Sequence, residues 1–258
     1  MKKTYFRILF FLLLPLFPVA SFAQGFGLPP GFELKKFQAN EDQALWFLQY
    51  DSAYQFVATF DHITVAKDFI CYPDKKGWKV VVGTVDSTGF VDPVFYQVDQ
   101  KNVVTVARKK FDTIQVASMG RGLYNAKQAL VKINNKVTGW RKFVKLNTDM
   151  TVVVFAFPDI DAAGNIWYGP ECTWYFSPDG RTLTTSKIVN KAPMMAGKAG
   201  TSLNLSCPTD KMPTVGTIWL AHKYKLAYND INVSYKTGVS TLHYNAAEKT
   251  YAWDHTAN

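Results

Sequence analysis

The sequence predicts an α+β protein with a large, mainly antiparallel β-sheet and two amphipathic helices packed on one face of it. Two stretches carry apolar residues at helical spacing, and most of the remaining chain consists of short β-branched runs separated by turn residues. Of the 258 residues, 48% are hydrophobic, 15% are aromatic and 19% are charged. This composition is typical of a folded globular chain and excludes a disordered one.

The first helix is expected at 41–60. Asn40 is placed as its N-cap, and Gln43 stands three residues later in the capping-box position. The residues that share one helical stripe, at spacings of 3, 4, 4 and 4, are Leu45, Leu48, Ser52, Phe56 and Phe60. We expect this stripe to face the core, with a possible break near Asp51.

The next elements are a three-stranded meander and a second helix. Strands are expected at 78–85, 94–98 and 102–107, with a turn at 86–89. Helical spacing returns at 120–135, where Leu123, Ala126, Leu130 and Ile133 share one face and Asn134-Asn135 ends the helix.

After Trp140 the helical pattern gives way to strands. We predict them at 142–146, 151–157, 165–168, 172–176, 182–189, 214–222, 231–235, 239–244 and 250–253. The run Ser177-Pro178-Asp179-Gly180 is the clearest hairpin signal, because proline fixes the first turn dihedral and glycine accepts a positive φ. Asn190–Ser202 is rich in breaker residues and is expected to be a mobile loop or a lid.

The N-terminus has the pattern of an export signal. Basic residues at 2, 3 and 7 precede an apolar run at 8–17, and the segment 21–23 ends with small residues where a signal peptidase cuts. We expect cleavage after Ala23, a periplasmic or secreted protein, and a single α+β domain at 24–258. A lobe boundary near Asn147 is the alternative organisation. Retention of the apolar run as an anchor is disfavoured by Pro15 and Pro18, and no later run is long enough to span a membrane.

Together these features resemble a group of bacterial secreted proteins. The resemblance rests on the strand 78–85, the helix 122–135, the strand 152–158, Trp167-Tyr168-Gly169, the hairpin 177–181 and a last strand that reaches Trp253. It covers most of the chain after the signal segment and implies no particular activity.

Three cysteines follow the signal segment, which is an odd number for an exported protein. Cys172 and Cys207 are the favoured disulfide pair because they are closest in sequence, which would leave Cys71 as a thiol. Three buried thiols are the alternative. No CxxC spacing supports a redox motif or a zinc site.

Candidate acid-base residues cluster in the C-terminal third. His222, Asp230 and His243 fall on or beside successive predicted strands, where side chains on one sheet face can converge. They form no recognised metal or nucleophile motif, and neither a metal nor a cofactor is specified. Asp159–Asn165 begins like a calcium loop but lacks its later ligands, so we interpret it as a hairpin loop.

These patterns favour a non-enzymatic binding or structural protein. The alternative is a secreted hydrolase that uses His222, Asp230 and His243, with Glu171, beneath the 190–202 loop.

The charge of the chain bears on its partners. The formal charge of +9 falls to about +6 without the signal segment, and the lysines of the chain are dispersed. A nucleic-acid partner is therefore not expected, whereas an envelope or extracellular polymer is possible. Aromatic residues at 167–168 and 174–175 could stack on sugar rings, although one of each pair should be buried.

Overall fold

The computed structural model describes residues 27–63, 67–107, 111–133, 137, 139–199 and 201–258. Within these ranges the α+β class is confirmed, with three helices and four mostly antiparallel sheets. The expected signal segment and the predicted end of the second helix at 134–135 lie outside the described residues.

The first helix, α1, spans Leu34–Phe60 and so begins well before Asn40. The N-cap prediction at Asn40 is wrong, since its side chain instead donates to the Pro213 carbonyl at 3.3 Å. No break occurs near Asp51. The residues that face the core are Phe37, Ala44, Phe47, Tyr50, Ala53 and Val57. The stripe predicted from Leu45 to Phe60 is the outer face of α1, because aromatic and small residues form a second stripe that packs inward.

The second helix, α2, spans Thr113–Val131 and begins seven residues before the predicted start. Asp112 is its N-cap and accepts from the backbone N–H groups of Ile114 and Gln115 at 3.0 and 3.1 Å. The predicted helical spacing is confirmed, since Leu123, Ala126 and Leu130 are buried.

A third helix, α3, spans Val215–Tyr224, where a strand was expected. The strand prediction there is wrong. Every residue from Gly216 to His222 is buried, so the segment has no polar face from which a helical period could be detected. Its β-branched residues favour a strand locally, and burial against α1 overrides that preference.

The first four-stranded sheet is an antiparallel meander in the order β1-β2-β3-β4. Its strands are Asp68–Asp74, Gly77–Asp86, Gly89–Asp99 and Val104–Val106. The predicted turn at 86–89 is confirmed, with Asp86 accepting from the Thr88 backbone N–H at 2.7 Å.

The second four-stranded sheet has the order β5-β6-β8-β9 and is also antiparallel. Its strands are Trp140–Leu146, Val152–Pro158, Glu171–Phe176 and Leu183–Val189. A two-stranded sheet pairs β7, Trp167–Tyr168, with β10, Met194–Met195.

The five-stranded sheet has the order β11-β12-β13-β14-β15. Its strands are Gly197–Ala199, Ser202–Cys207, Asp230–Tyr235, Gly238–Asn245 and Thr250–Ala257. The pair β12 and β13 is parallel, and α3 lies in the connection between them. The other pairs in this sheet are antiparallel.

Two hydrophobic cores lie on opposite sides of the four-stranded sheets. Neighbouring residues of one strand enter different cores: Val80 and Phe143 belong to the first core, and Val81 and Val144 to the second. The first core also contains the buried faces of α1 and α3, whereas the second contains that of α2. The two predicted helices therefore pack on opposite sides of the sheets, and the prediction that both lie on one face is wrong.

Candidate functional site

The five-stranded sheet has one apolar face and one polar face. Leu203, Ile231 and Leu242 lie side by side in the register and are buried in the first core. Because successive side chains of a strand point to opposite faces, the residues between them form the other face. We call this the outer face; its half-buried or exposed polar side chains are Ser202, Asn204, Ser206, Asp230, Asn232, Ser234, Thr241, His243, Asn245, Thr250, Asp254 and Thr256.

A hydrogen-bonded row crosses the middle of the outer face. The Asn232 amide donates to the Asn204 side-chain oxygen at 3.0 Å, and the Thr241 hydroxyl donates to the Asn232 oxygen at 2.9 Å. Asp254 lies opposite Thr241 on β15. The row thus links β12, β13 and β14, and it fixes the rotamers of amide and hydroxyl groups that remain half-buried.

Two of the three predicted acid-base residues lie beside this row. Asp230 and His243 are direct cross-strand partners on β13 and β14. The His243 Nδ1 is 3.7 Å from a carboxylate oxygen of Asp254, whose side chain is 72% exposed. An ion pair this open to water contributes little to stability. The geometry gives the outer face a carboxylate and an imidazole next to neutral hydrogen-bonding groups.

The third predicted residue, His222, lies on the opposite side of the sheet. Its Nε2 is 2.9 Å from Glu41 Oε1 of α1, and the same oxygen accepts from the Trp253 indole N–H at 2.9 Å. Trp253 is the register partner of buried Leu242 and belongs to the inner face. The structure therefore brings Asp230 and His243 together and separates both from His222.

The Glu41 carboxylate is stabilised by this inner site. Burial raises its pKa, but the His222 contact and the Trp253 hydrogen bond outweigh burial and hold the pKa below its ordinary value. His255 lies nearby and shares a 2.7 Å hydrogen bond with the buried Ser240 hydroxyl. Burial lowers the pKa of His255 to about 4, so this imidazole is neutral near pH 7. No local pattern predicts either group, because Glu41 meets His222 and Trp253 from far along the chain and His255 meets Ser240 only through strand pairing.

Glu171 occupies a separate buried site at the start of α3. Its carboxylate accepts from the Thr214 hydroxyl and from the backbone N–H of Gly216. Burial raises its pKa to about 7, and these two hydrogen bonds oppose the rise. Gly216 is required by the close approach, because a Cβ there would lie 2.7 Å from the Glu171 oxygen. Glu171 thus packs on α3 and lies apart from Asp230 and His243.

The favoured disulfide is not formed, since Cys71, Cys172 and Cys207 are all free and buried. Cys172 points into the second core beside α2, whereas Cys207 lies in the first core and its thiol donates to the Thr217 hydroxyl at 3.6 Å. Glu171 precedes Cys172 on β8 and faces the Cys207 side, so Cys172 faces away from it. Proximity in sequence was a poor guide because Cys172 on β8 and Cys207 on β12 point into different cores.

Three other features predicted from the sequence have structural roles in the fold: the 190–202 loop, the Asp159–Asn165 loop and the paired aromatic residues. The 190–202 loop contains β10 and β11, which pair with β7 and β12. Asp161 accepts from the backbone N–H groups of Ala163 and Asn165 and from the Trp167 indole, as expected of a hairpin loop. One aromatic residue of each predicted pair is buried, namely Tyr168 and Trp174.

The described residues contain neither a metal-binding cluster nor a helix that could span a membrane. In the ranges that the structure covers, no group of three or more His, Cys, Asp or Glu side chains is arranged to hold a metal ion. Among the same residues, no helix has the length and apolar character needed to cross a membrane.

Comparison with known proteins gave no match to a family model, to a curated protein or to a solved structure.

Proposed function

We propose that this protein acts by binding, and that its ligand lies on the outer face of the five-stranded sheet. The observation that carries the proposal is the row Asn204–Asn232–Thr241, whose amide and hydroxyl groups are held in fixed rotamers across three strands. Preorganised side chains lose little conformational entropy when a ligand binds. Groups of this kind both donate and accept hydrogen bonds, as do the hydroxyl groups of a sugar.

The ligand class that fits best is a neutral polysaccharide of the cell envelope or the extracellular medium. Neighbouring strands are about 4.8 Å apart, so a chain that crosses the strands meets a polar side chain at each step. The carboxylates of Asp230 and Asp254 lie on the same face and would repel a polyanion. This charge pattern favours a neutral polymer over the anionic one that the basic composition alone would suggest.

Binding is favoured over hydrolysis because the acid-base groups are already engaged inside the protein. His222 is paired with Glu41, and Glu171 is paired with Thr214 and Gly216. Asp230 and His243 lie on the opposite face from His222, so the three do not share one substrate position. General acid-base catalysis needs its groups within hydrogen-bond reach of the same reacting atoms.

We also propose that the protein is exported, so that it meets its ligand outside the cytoplasm. The support is the charge and hydrophobicity pattern of residues 1–23, together with the resemblance to bacterial secreted proteins. N-terminal sequencing of the protein recovered from the producing cells tests this point. A mature chain that begins at Gln24 is expected, and an intact Met1 in the recovered protein would contradict it.

A binding assay tests the proposed surface. Peptidoglycan sacculi, chitin, xylan and amylose serve as probes in pull-down experiments, followed by calorimetry with soluble fragments of whichever polymer binds. We expect N232A to weaken binding about tenfold, because it removes the group at the centre of the row. T241V should have a smaller effect in the same direction.

The matched control is T185V on the exposed strand β9 of another sheet, which should bind like the wild type. Binding should also persist in high salt, because the contacts are uncharged. If no probe binds, or if N232A and T241V bind as well as T185V, the proposed surface is wrong.

A further inference from the structure

A cleft opens where the two four-stranded sheets meet. Their edge strands β1 and β5 lie side by side, and the buried Tyr50 hydroxyl joins them. This hydroxyl donates to the Phe69 carbonyl and accepts from the Val144 N–H, both at 3.4 Å. Beyond this bridge, towards the C-terminal ends of both strands, lies a cleft of about 210 Å³, which we call the seam cleft. A cavity of about 150 Å³ can hold benzene, so the seam cleft has room for one small ring.

Aromatic and aliphatic side chains form most of the seam cleft. Besides Val144, the residues that line it are Trp46 of α1, Tyr72 and Pro73 of β1, Gln115 of α2, and Lys145 and Leu146 of β5. Trp46 packs against the first core and Tyr72 against the second. The seam cleft therefore presents an indole and a phenol ring from opposite sides of the sheets, together with one amide and one ammonium group. Apolar walls with a few polar groups are typical of a small-molecule site.

The Tyr72 hydroxyl in this cleft is buried and has no hydrogen-bond partner within the part of the chain that the structure describes. Burial, with smaller contributions from the Asp112 and Asp74 carboxylates, raises the pKa of Tyr72. The phenol is therefore protonated at pH 7 and can donate. A buried hydroxyl that is left unpaired costs free energy, and an acceptor atom of a ligand would remove that cost.

The Lys145 ammonium is half-buried and lies 5.8 Å from the centre of the Trp46 ring. Among the described residues, no carboxylate lies within ion-pair distance of it. Lys79 at the same end of the sheets differs, because its ammonium is 3.1 Å from the Asp74 carboxylate. The carboxylate of Asp112 is also engaged, since it caps α2. The seam cleft thus offers one cation that no neighbouring carboxylate neutralises, which favours an anionic ligand.

We propose that the seam cleft binds a small aromatic carboxylate, whose ring packs between the apolar walls and whose carboxylate is bound by Lys145 and Tyr72. The apolar walls favour an aromatic ring over a sugar acid, because the hydroxyl groups of a sugar would lack partners there. The Gln115 amide can bind a polar substituent on the ring. The lining comes from α1, α2, β1 and β5, so this site is separate from the outer face of the five-stranded sheet and does not depend on polysaccharide binding.

Titration with benzoate, followed by two-dimensional NMR of the isotope-labelled protein, tests the site. Saturable shifts are expected at the backbone amides of Tyr72, Gln115 and Lys145, with a dissociation constant of about millimolar order for so small a ligand. Benzamide has nearly the same shape without the charge and should bind at least about tenfold more weakly. Glucuronate carries the same charge on a sugar ring and should also bind more weakly than benzoate.

Two variants connect binding to the groups that carry the proposal. K145M keeps the length of the side chain without its charge and should weaken benzoate binding about tenfold. Y72F removes only the hydroxyl and should weaken it about threefold. The matched control is K236M, since Lys236 is an exposed lysine in the turn between β13 and β14; it should bind benzoate like the wild type. The dispersion of each NMR spectrum checks that the variant is folded.

Three results would overturn the proposal. The first is a benzoate titration in which the amides that line the seam cleft show no saturable shift. The second is binding of benzamide or glucuronate that is as tight as that of benzoate, because the site would then select neither the charge nor the aromatic ring. The third is benzoate binding by K145M and Y72F that equals binding by K236M.

Discussion

Glu171 is a carboxyl group whose ionisation opposes folding. It is buried at the start of α3, and its pKa of about 7 in the folded protein lies well above the ordinary value of 4.5. The folded state therefore retains a proton between these two pH values that the unfolded state has lost. Its contribution to stability is fully present below pH 4.5 and declines as the pH rises towards 7.

E171Q should remove this pH dependence. The amide cannot ionise, yet it can still accept from Thr214 and from the Gly216 N–H. We expect the unfolding free energy of the variant, relative to wild type, to increase by about 3 kcal/mol between pH 4.5 and pH 8. Urea unfolding at a series of pH values measures this difference, and a difference that is constant with pH would show that Glu171 ionises normally in the folded protein.

His255 has the opposite effect over part of the same range. Burial lowers its pKa in the folded protein to about 4. Its contribution to stability is present above its ordinary pKa of 6.5 and is lost as the pH falls towards 4. The two residues therefore offset each other in wild type between pH 4.5 and 6.5, which is why the comparison with E171Q is more informative than the wild-type curve alone.

The hairpin between the strands β8 and β9 is hydrogen-bonded to the helix α2. Arg121 of α2 donates to the Asp179 carbonyl at 2.6 Å, and Asn125 donates to the Gly180 carbonyl at 3.0 Å. Gly180 has a φ of +75°, and a Cβ there would lie 2.1 Å from the Ser118 carbonyl oxygen. The turn therefore needs glycine for its dihedral and also for its contact with the helix.

The variant G180A tests whether Gly180 is needed for its contact with α2, and G164A is the matched control. Gly164 has a φ of +82°, but a Cβ there would meet nothing within 4 Å. G164A should cost only the backbone strain, about 1 kcal/mol, whereas G180A should cost at least about 2 kcal/mol more, because it forces the hairpin away from α2. Chemical denaturation of both variants measures the difference, and equal losses would mean that the turn is not held against the helix.

At the scale of the whole molecule, the two cores share the strands that separate them. Phe143 and Val144 are consecutive residues of β5, both fully buried, and they point into different cores. The same alternation occurs in β2 at Val80 and Val81. One core cannot be lost while the strands that border the other remain intact. We therefore expect residues 27–258 to unfold as a single cooperative unit.

Calorimetry of F143A and V144A checks this expectation. Each variant enlarges a different core, and truncation of the phenylalanine should cost about 3–5 kcal/mol, with the valine costing less. Both should lower the melting temperature of one common transition. Two separate transitions, each sensitive to only one variant, would instead show that the two cores unfold independently.

Local sequence determined the elements whose periodicity or turn chemistry is strong. Most strands of the C-terminal half, the Ser177–Gly180 hairpin and the helical spacing of Leu123, Ala126 and Leu130 were predicted in place, whereas the strand β12 was missed and the strand expected at 214–222 is a helix. In each case the signal is carried by neighbours in the chain, because a half-buried strand or helix must alternate polar and apolar residues. The Asn204, Asn232 and Thr241 positions could also have been found from the alternation of polar residues with leucine, isoleucine and valine.

Tertiary structure alone decided which faces were buried and which side chains met. Both stripes of α1 are apolar, and only packing against the cores showed that the Leu45–Phe60 stripe is the outer one. The uniformly buried α3 has no polar face, so no helical period is visible in its residues. His222 was expected beside Asp230 and His243 but is paired with Glu41, 181 residues away along the chain. Such pairings depend on how the sheets and helices stack, and that stacking is set by the whole core rather than by any local pattern.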